Sequence, residues 1–260
     1  DLGLLDRVMA VGGRVGVPQW FVFGNHDLDF DAQTPRDRAD TWRSKVMPDY
    51  YAFEIGQVLF VALNNIVYPC GPEDAAVLGD ERCAQPNRPS YNARVEERQV
   101  RWLEQLLEYT DTSMRVVLLH HAPLVSFVDA TNGVHQTNNA HELHALLSSF
   151  PALSLSGHTH SLENHDAGQF FKGWRDQTGV GALPFRHIVA GAASGAWYMG
   201  DYDINGIPMA LQRMGAPKGV VVLEFEGAEY RETYHGARLG AHRQQWVSLN
   251  TPQFRRVMLN

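Results

Sequence analysis

A long apolar run and an excess of basic residues are both absent from this sequence. No stretch approaches the roughly 18 consecutive apolar residues that a membrane-spanning helix requires. Its 22 lysines and arginines are outnumbered by 29 acidic residues, which gives a formal net charge of −7. Nucleic acids and anionic membrane surfaces attract clustered positive charge, so this balance offers no footprint for either partner. The composition favours a small substrate instead, and it leaves the oligomeric state open.

Cysteine is scarce, with only Cys70 and Cys83 in one polar loop. A zinc knuckle needs a second cysteine pair, so the count excludes that kind of site. Two interpretations stay open: a disulfide between the two residues, or two unrelated loop thiols. A disulfide favours an oxidising compartment, and on that ground we expect a periplasmic or secreted protein.

The sequence also lacks an initiator methionine and the basic-then-apolar pattern of a signal peptide. It opens at Asp1, directly into the helical spacing of Leu2, Leu5, Val8 and Met9. We therefore expect this chain to be a mature or truncated piece of its protein.

Helical and strand patterns alternate through the first two thirds of the chain. Apolar spacing predicts helices over residues 2–15, 95–109 and 138–149, with Asn138 or Asn139 as the cap of the last one. Short apolar runs predict strands over residues 20–23, 53–63 with a turn at Gly56, 116–119 and 152–155. This alternation predicts an α/β layered domain with a sheet between helices.

The pattern changes after Asp166, where Gly-rich aromatic segments replace the helical periodicity. Alternating residues over 220–225 and 230–234, with a turn at Gly227, predict a β-hairpin. We therefore divide the chain into a core over residues 1–166 and a β-rich module over residues 167–260. Trp174, Trp197 and Tyr198 either edge a substrate cleft or, more often for such aromatics, fill the module's core.

Polar clusters follow three of the predicted strands, at the position where open α/β sheets place their ligand sites. They are Gly24-Asn25-His26-Asp27, His120-His121-Ala122-Pro123 and Gly157-His158-Thr159-His160. Each cluster alone is weak evidence, because such residues more often form a hydrogen-bonded turn or a packing pair. Their joint occurrence in this order is far more specific. The glycines allow a sharp turn or a close backbone approach.

The residue types in these clusters suit metal-assisted hydrolysis. Cleaving a phosphate ester with water needs a nucleophile at neutral pH and neutralisation of the phosphoryl oxygens, which two metal ions about 3.5 to 4 Å apart supply. Imidazole, carboxylate and amide oxygen suit Mn, Fe, Zn or Ni. The sequence therefore predicts two divalent or trivalent ions of this group.

The three clusters resemble three of the five sequence blocks of the calcineurin-like metallophosphoesterases. Residues 48–53, Pro-Asp-Tyr-Tyr-Ala-Phe, lie before the second predicted strand and resemble the stretch that follows this block in bacterial members. Residues 191–197, 206–208 and 230–234 resemble the C-terminal module of one bacterial subgroup. The resemblance covers nearly the whole chain. It implies a layered core of sheets flanked by helices, with a small, mostly β C-terminal module.

The resemblance also implies a set of metal ligands. Asn25, His121 and His158 would bind the second metal, and His160 would belong to the first. The family's His-x-Pro register selects His121 and leaves His120 as a neighbouring or substrate contact, although the reverse assignment stays open.

The same resemblance implies the catalytic roles. His26 would protonate the leaving group as general acid, and Asp27 would hold its ring and tautomer. A hydroxide bridging the two metals would attack phosphorus in line, and the substrate would be a small phosphorylated molecule. The enzyme would be a phosphoric ester hydrolase.

Two blocks of the family pattern have no counterpart in this sequence, namely an Asp-x-His and a Gly-Asp at the ends of the first two strands. Nearly all ligands of the first metal are therefore missing, and we expect the chain as given to bind one metal weakly and to be nearly inactive. We expect residues encoded upstream of Asp1 to supply both blocks. An open reading frame without them would contradict the catalytic interpretation.

Three other interpretations remain. The chain could be an inactive relic that serves as a binding or structural module, or an enzyme with a different binuclear activity on the same site. His141-Glu142-Leu143-His144 looks like a zinc-peptidase helix, but its histidines are three apart where that motif needs four. For that segment we predict a capped helix with exposed polar residues.

Overall fold

A six-stranded mixed sheet lies at the centre of the structure, a computed structural model that describes residues 2–34, 36–70, 91–127, 135–191 and 219–236. In spatial order its strands are β1 (Tyr51–Ile55), β2 (Val58–Leu63), β5 (Arg115–His120), β6 (Ala152–Ser156), β8 (Arg186–Ala190) and β7 (Leu162–His165). The four central strands are parallel, and the two edge strands are antiparallel to their neighbours. The carboxyl ends of β2, β5, β6 and β8 therefore meet at one edge of the sheet.

Helices and two small ladders complete the described structure. The helices are α1 (Leu2–Gly12), α2 (Asp40–Lys45), α3 (Glu97–Glu108), α4 (Ala140–Leu146) and α5 (Lys172–Thr178). One ladder joins β3 (Ile66–Val67) to β4 (Asn92–Ala93), and the other is the hairpin of β9 (Gly219–Glu226) and β10 (Glu229–Gly236). Within the described ranges, no helix combines the length and apolar character needed to cross a membrane.

The sheet is covered on both faces because its strands are apolar on both sides. Along β5, Val116 and Leu118 pack on one face with apolar side chains of α3, α4 and α5, whereas Val117 lies on the other. That second face packs against the hairpin through side chains such as Leu223 and Phe225. Near-continuous apolar runs are typical of parallel strands buried on both sides. The predicted α/β layered architecture is confirmed.

Most predicted elements lie where the patterns place them. The predicted strand over residues 53–63 forms the hairpin of β1 and β2, which turns at Gly56 with φ of 60°. Helix α3 presents Leu103 and Leu107 to the core, as its apolar spacing predicts. The C-terminal hairpin pairs Tyr230 with Phe225, with its turn at Gly227.

The strand predicted over residues 20–23 is wrong. This segment is extended but belongs to no sheet, because no neighbouring strand in the described structure offers it a ladder. The Phe21 N–H donates to Met47 Sδ at 3.4 Å, and the Phe21 carbonyl accepts from the Tyr51 hydroxyl at 2.9 Å. Phe23 is buried, whereas Trp20, which stacks on Phe53, is 43% exposed.

The loss of helical character predicted after Asp166 is also wrong in part. Helix α5 is held by Trp174, which is fully buried and donates from Nε1 to the Ser126 carbonyl at 2.8 Å. The helix has only two turns and one large buried side chain, so its apolar spacing is too short to be recognised as helical in the sequence. Trp174 thus fills the core, while Trp197 and Tyr198 lie outside the described residues. The division at residue 166 stays a prediction, although β8 pairs within the main sheet.

Cys70 is disulfide-bonded and nearly buried. Cys83 is the chain's other cysteine and lies outside the described residues. Of the two interpretations of the cysteines, the disulfide is therefore the one found at Cys70.

Candidate functional site

Two of the three polar clusters follow neighbouring strands of the sheet. His121 comes directly after β5, and residues 157–160 come directly after β6. The Gly157 N–H donates to the His121 carbonyl at 3.0 Å, which ties the two strand ends together. The first cluster reaches the same place from the extended segment instead, with Asn25–Asp27 in a single 3₁₀ turn.

Asn25, His121 and His158 lie together at this edge. Asn25 Oδ1 is 2.7 Å from His121 Nε2, and the ring centroids of His121 and His158 are 4.7 Å apart. The Asn25 amide nitrogen donates to the Tyr91 hydroxyl at 3.1 Å, which directs its oxygen towards His121. An amide oxygen and two imidazoles, from three distant parts of the sequence, therefore converge on one spot.

Gly24 permits the close approach of the first cluster to the second. A Cβ at this position would lie 2.9 Å from the His121 ring, so a larger residue would displace the imidazole. The prediction that glycine allows a close backbone approach is thus confirmed at Gly24. At Gly157, a Cβ would meet nothing within 4 Å and φ is not positive, so the structure gives no steric reason for glycine there.

The third cluster adopts an unusual backbone. His158 and His160 have φ of 65° and 56°, in the left-handed region that side chains other than glycine rarely adopt. Each such residue costs of order 1–3 kcal/mol and persists only where its surroundings hold it. The buried Thr159 between them does so: its N–H donates to the Gly157 carbonyl at 2.7 Å, and its hydroxyl lies 2.7 Å from that of Ser161. His160 is exposed, and its role at the first metal stays a prediction.

His120 is turned into the protein rather than towards the site. Its Nδ1 lies 2.7 Å from the Ala122 carbonyl oxygen and its Nε2 lies 2.7 Å from Ser154 Oγ. Burial lowers its pKa from 6.5 to about 4, so the ring is neutral. Since both ring nitrogens have protein partners, His120 has none to offer a ligand, and of the pair only His121 faces Asn25.

His26 and Asp27 follow Asn25 in the same 3₁₀ turn. His26 is exposed and lines a cavity of about 320 Å³ whose walls also include Leu5 and Trp42. Asp27 Oδ2 accepts from the Gly24 N–H at 3.0 Å, which closes the turn. Burial raises the pKa of Asp27, against that hydrogen bond and the nearby charge of His26. The orienting role of Asp27 on His26 stays a prediction.

The electrostatics of the site suit a neutral ligand at His121. Burial lowers its pKa well below the ordinary value, and the neighbouring rings of His158, His26, His120 and His160 add to the effect. Metals bind the deprotonated imidazole, so a low pKa removes proton competition. Amide oxygen and imidazole are thus a fitting donor set for one ion. Within the described residues, however, no group of three or more His, Cys, Asp or Glu side chains is arranged to hold a metal.

Several residues that the sequence did not single out contribute to the site. Tyr91 orients Asn25, and its ring centroid lies 6.2 Å from that of His158. The His135 ring lies 6.3 Å from His158. Asn65 contacts the backbone of His121. In the sequence, Asn65 was indicated only by its place in the polar pair Asn64-Asn65 after a predicted strand. No sequence pattern indicated Tyr91 or His135.

Comparison with known proteins gives a family match at the C-terminal end. Residues 187–257 match the model described as the C terminal of Calcineurin-like phosphoesterase. No curated protein matches the chain.

Two solved structures show limited similarity. A dimetal phosphatase from Danio rerio is 18% identical over 72% of this chain and 65% of its own length, with a TM-score of 0.48. A structure of PhoD is 12% identical over 56% of this chain and 29% of its own, with a TM-score of 0.35. These TM-scores are too low for either likeness to bear on this chain's chemistry, and the chain spans less than two thirds of either structure.

The matched segment begins in β8, a strand of the central sheet, and includes the hairpin of β9 and β10. It is therefore continuous with the sheet whose strand ends carry His121 and His158. On this match, residues 187–257 are similar to the C-terminal part of calcineurin-like phosphoesterases.

Proposed function

We propose that the protein hydrolyses phosphoric esters with the help of two metal ions. The observation that carries this proposal is the convergence of Asn25, His121 and His158, because their side chains meet although 96 residues separate the first two. Polar side chains that converge without forming a salt bridge or a packed core are typical of a ligand site.

In this proposal Asn25, His121 and His158 hold one ion and His160 contributes to the other, with Mn, Fe, Zn or Ni as candidates. When bound, such ions would neutralise charge on the phosphoryl group and would lower the pKa of water enough to supply a nucleophile at neutral pH. The protein's own contribution is to hold the ligands. Tyr91 fixes the amide of Asn25, and Gly24 leaves room for the His121 ring.

His26 is the proposed general acid. It is exposed, it lies next to Asn25 in the chain, and its ring faces a cavity large enough for a small organic leaving group. From there it would donate its proton to the leaving oxygen. The net charge of −7 agrees with a small phosphorylated substrate rather than a nucleic acid.

The alternative function is a non-catalytic binding or structural module. It is favoured by one observation, namely that within the described residues no group of three or more His, Cys, Asp or Glu side chains is arranged to hold a metal. Metal content separates the two functions, since the relic would bind at most one ion per chain.

The disulfide at Cys70 supports a periplasmic or secreted location, because disulfides persist in oxidising compartments.

His121→Ala tests the proposed function. In protein that carries all five family blocks, we expect two metals per chain by elemental analysis and hydrolysis of at least one ester in a panel of phosphate monoesters and diesters. The metal content and the turnover of the variant should both fall. The fall should exceed the effect of losing a group that only orients a ligand, which is about 10- to 100-fold.

His235→Ala is the matched control, since this exposed histidine lies on β10. It should leave both quantities unchanged. At most one metal per chain without hydrolysis of any ester would favour the relic, and unchanged metal content in His121→Ala would show that the ligands are elsewhere.

A further inference from the structure

Asn65 lies directly beyond β2, the parallel neighbour of the strand that leads into His121. Its side chain is fully buried. A buried primary amide must find partners for two donors and an acceptor, so its surroundings reveal what it holds.

All the partners of the Asn65 side chain lie around the turn that carries His121. Its Oδ1 accepts from the backbone N–H groups of His121 and Ala122, each at 3.2 Å. Its Nδ2 donates to the Ala122 carbonyl at 2.6 Å and to the Thr137 hydroxyl oxygen at 2.8 Å. One planar side chain thus binds two successive N–H groups and the carbonyl between β5 and Pro123.

We propose that Asn65 is a positioning residue for the metal ligand His121. By holding both N–H groups of the turn, it fixes the direction in which the His121 side chain leaves the backbone. This inference rests on the proposed function, because it assigns Asn65 a role only if His121 binds a metal.

The neighbours of the His121 ring show how accurately this ring must be positioned. Gly24 leaves no space on one side, since even a Cβ there would lie 2.9 Å from the imidazole. On another side Nε2 lies 2.7 Å from Asn25 Oδ1. A ligand set works only when each member is held within about 0.5 Å of its place, so a loosened turn would misplace the nitrogen.

Asn64 provides a matched control. It is equally buried and adjacent in the chain, but its amide binds away from the site. Its Nδ2 donates to Asp49 Oδ2 at 2.8 Å, and its Oδ1 accepts from the Ile66 N–H at 3.0 Å. Truncating either asparagine leaves buried groups without partners and costs comparable stability, but only Asn65 holds His121.

The test measures Co²⁺ affinity by absorbance titration, and the thermal midpoint, for wild type, Asn65→Ala, Asn64→Ala and His121→Ala. We expect Asn65→Ala to bind Co²⁺ about 10- to 100-fold more weakly, the usual effect of losing a group that orients a ligand. Asn64→Ala should show a similar fall in the thermal midpoint with Co²⁺ affinity close to wild type.

Thr137→Val keeps the inference testable if Asn65→Ala does not fold. It removes one partner of the Asn65 amide in a nearly isosteric way, so Co²⁺ affinity should fall, though less than in Asn65→Ala. Equal Co²⁺ affinities in the Asn64 and Asn65 variants, or in Thr137→Val and wild type, would overturn the inference alone. Equal affinities in wild type and His121→Ala would instead overturn the proposed metal site.

Discussion

His26→Ala should lower turnover of an alkyl phosphate ester by about 10² to 10⁴ and leave the metal content unchanged. The reason is that an alkoxide leaves poorly without a proton, and His26 is the exposed titratable side chain beside Asn25. On a nitrophenyl phosphate the loss should be much smaller, because that leaving group departs without protonation. The measurement is turnover on both esters, with elemental analysis, in protein that carries the complete set of metal ligands.

The matched comparison is Asn25→Ala, one position earlier in the same turn. Asn25 is buried with its oxygen directed at His121, so its loss should lower metal occupancy and reduce turnover of both esters alike. If His26→Ala instead lost metal and slowed both esters equally, His26 would be a ligand rather than the acid. The contrast between two adjacent residues thus separates proton transfer from metal binding.

The folded protein should lose stability between pH 7 and pH 5, and His187 should account for about 2 kcal/mol of that loss. His187 is buried, and neither of its ring nitrogens has a hydrogen-bond partner among the residues that the structure describes. It packs between the rings of Phe185 and His144, with centroids 4.8 Å and 5.0 Å away. Burial, and then the neighbouring His144, His165 and His120, lower the pKa of His187 well below 6.5.

His144 on α4 adds to the effect. Burial lowers its pKa to about 4, and the charges of His141 and His120 act in the same direction. A folded pKa below the unfolded value of 6.5 means that the unfolded chain takes up the proton first. The contribution of each neutral histidine to the free energy of unfolding is therefore fully present above pH 6.5. It falls by about 1.4 kcal/mol per pH unit as the pH drops towards the folded pKa.

His187→Phe isolates this contribution, because a phenyl ring can stack on Phe185 but cannot take up a proton. In urea denaturation at pH 7 and pH 5, the variant should lose about 2 kcal/mol less than wild type between the two conditions. His235→Gln, which changes an exposed histidine, should behave like wild type. The same pH dependence in His187→Phe and wild type would contradict a neutral, buried His187.

These buried histidines also show where the sequence was misread. The segment 141–144 was predicted as a helix with exposed polar residues, and it is a helix, but His144 is only 8% exposed. The presence of a histidine in a helical pattern does not show whether its side chain faces the core or the solvent. Its burial depends on His187 in β8 and on Phe185 just before that strand, which lie some forty residues later in the chain.

Features with a local cause were determined by the sequence itself. The apolar spacing of α3, the apolar runs of β5 and β6, and the turns at Gly56 and Gly227 each arise within a few residues. Polar clusters directly after such runs must lie at strand ends, and two of the three do. The kind of chemistry could thus be predicted, because the residue types and their place in each element are both local properties.

Only the tertiary structure decided how these pieces meet. Residues 20–23 have the composition of a strand but form no ladder with any described part of the chain, because a strand exists only beside a partner. His121 rather than His120 faces Asn25 because Ala122 and Ser154 engage both nitrogens of His120. The support of that turn comes from Asn65, 56 residues earlier. Such contacts depend on strand order and register, which bring together side chains that no pattern within either segment connects.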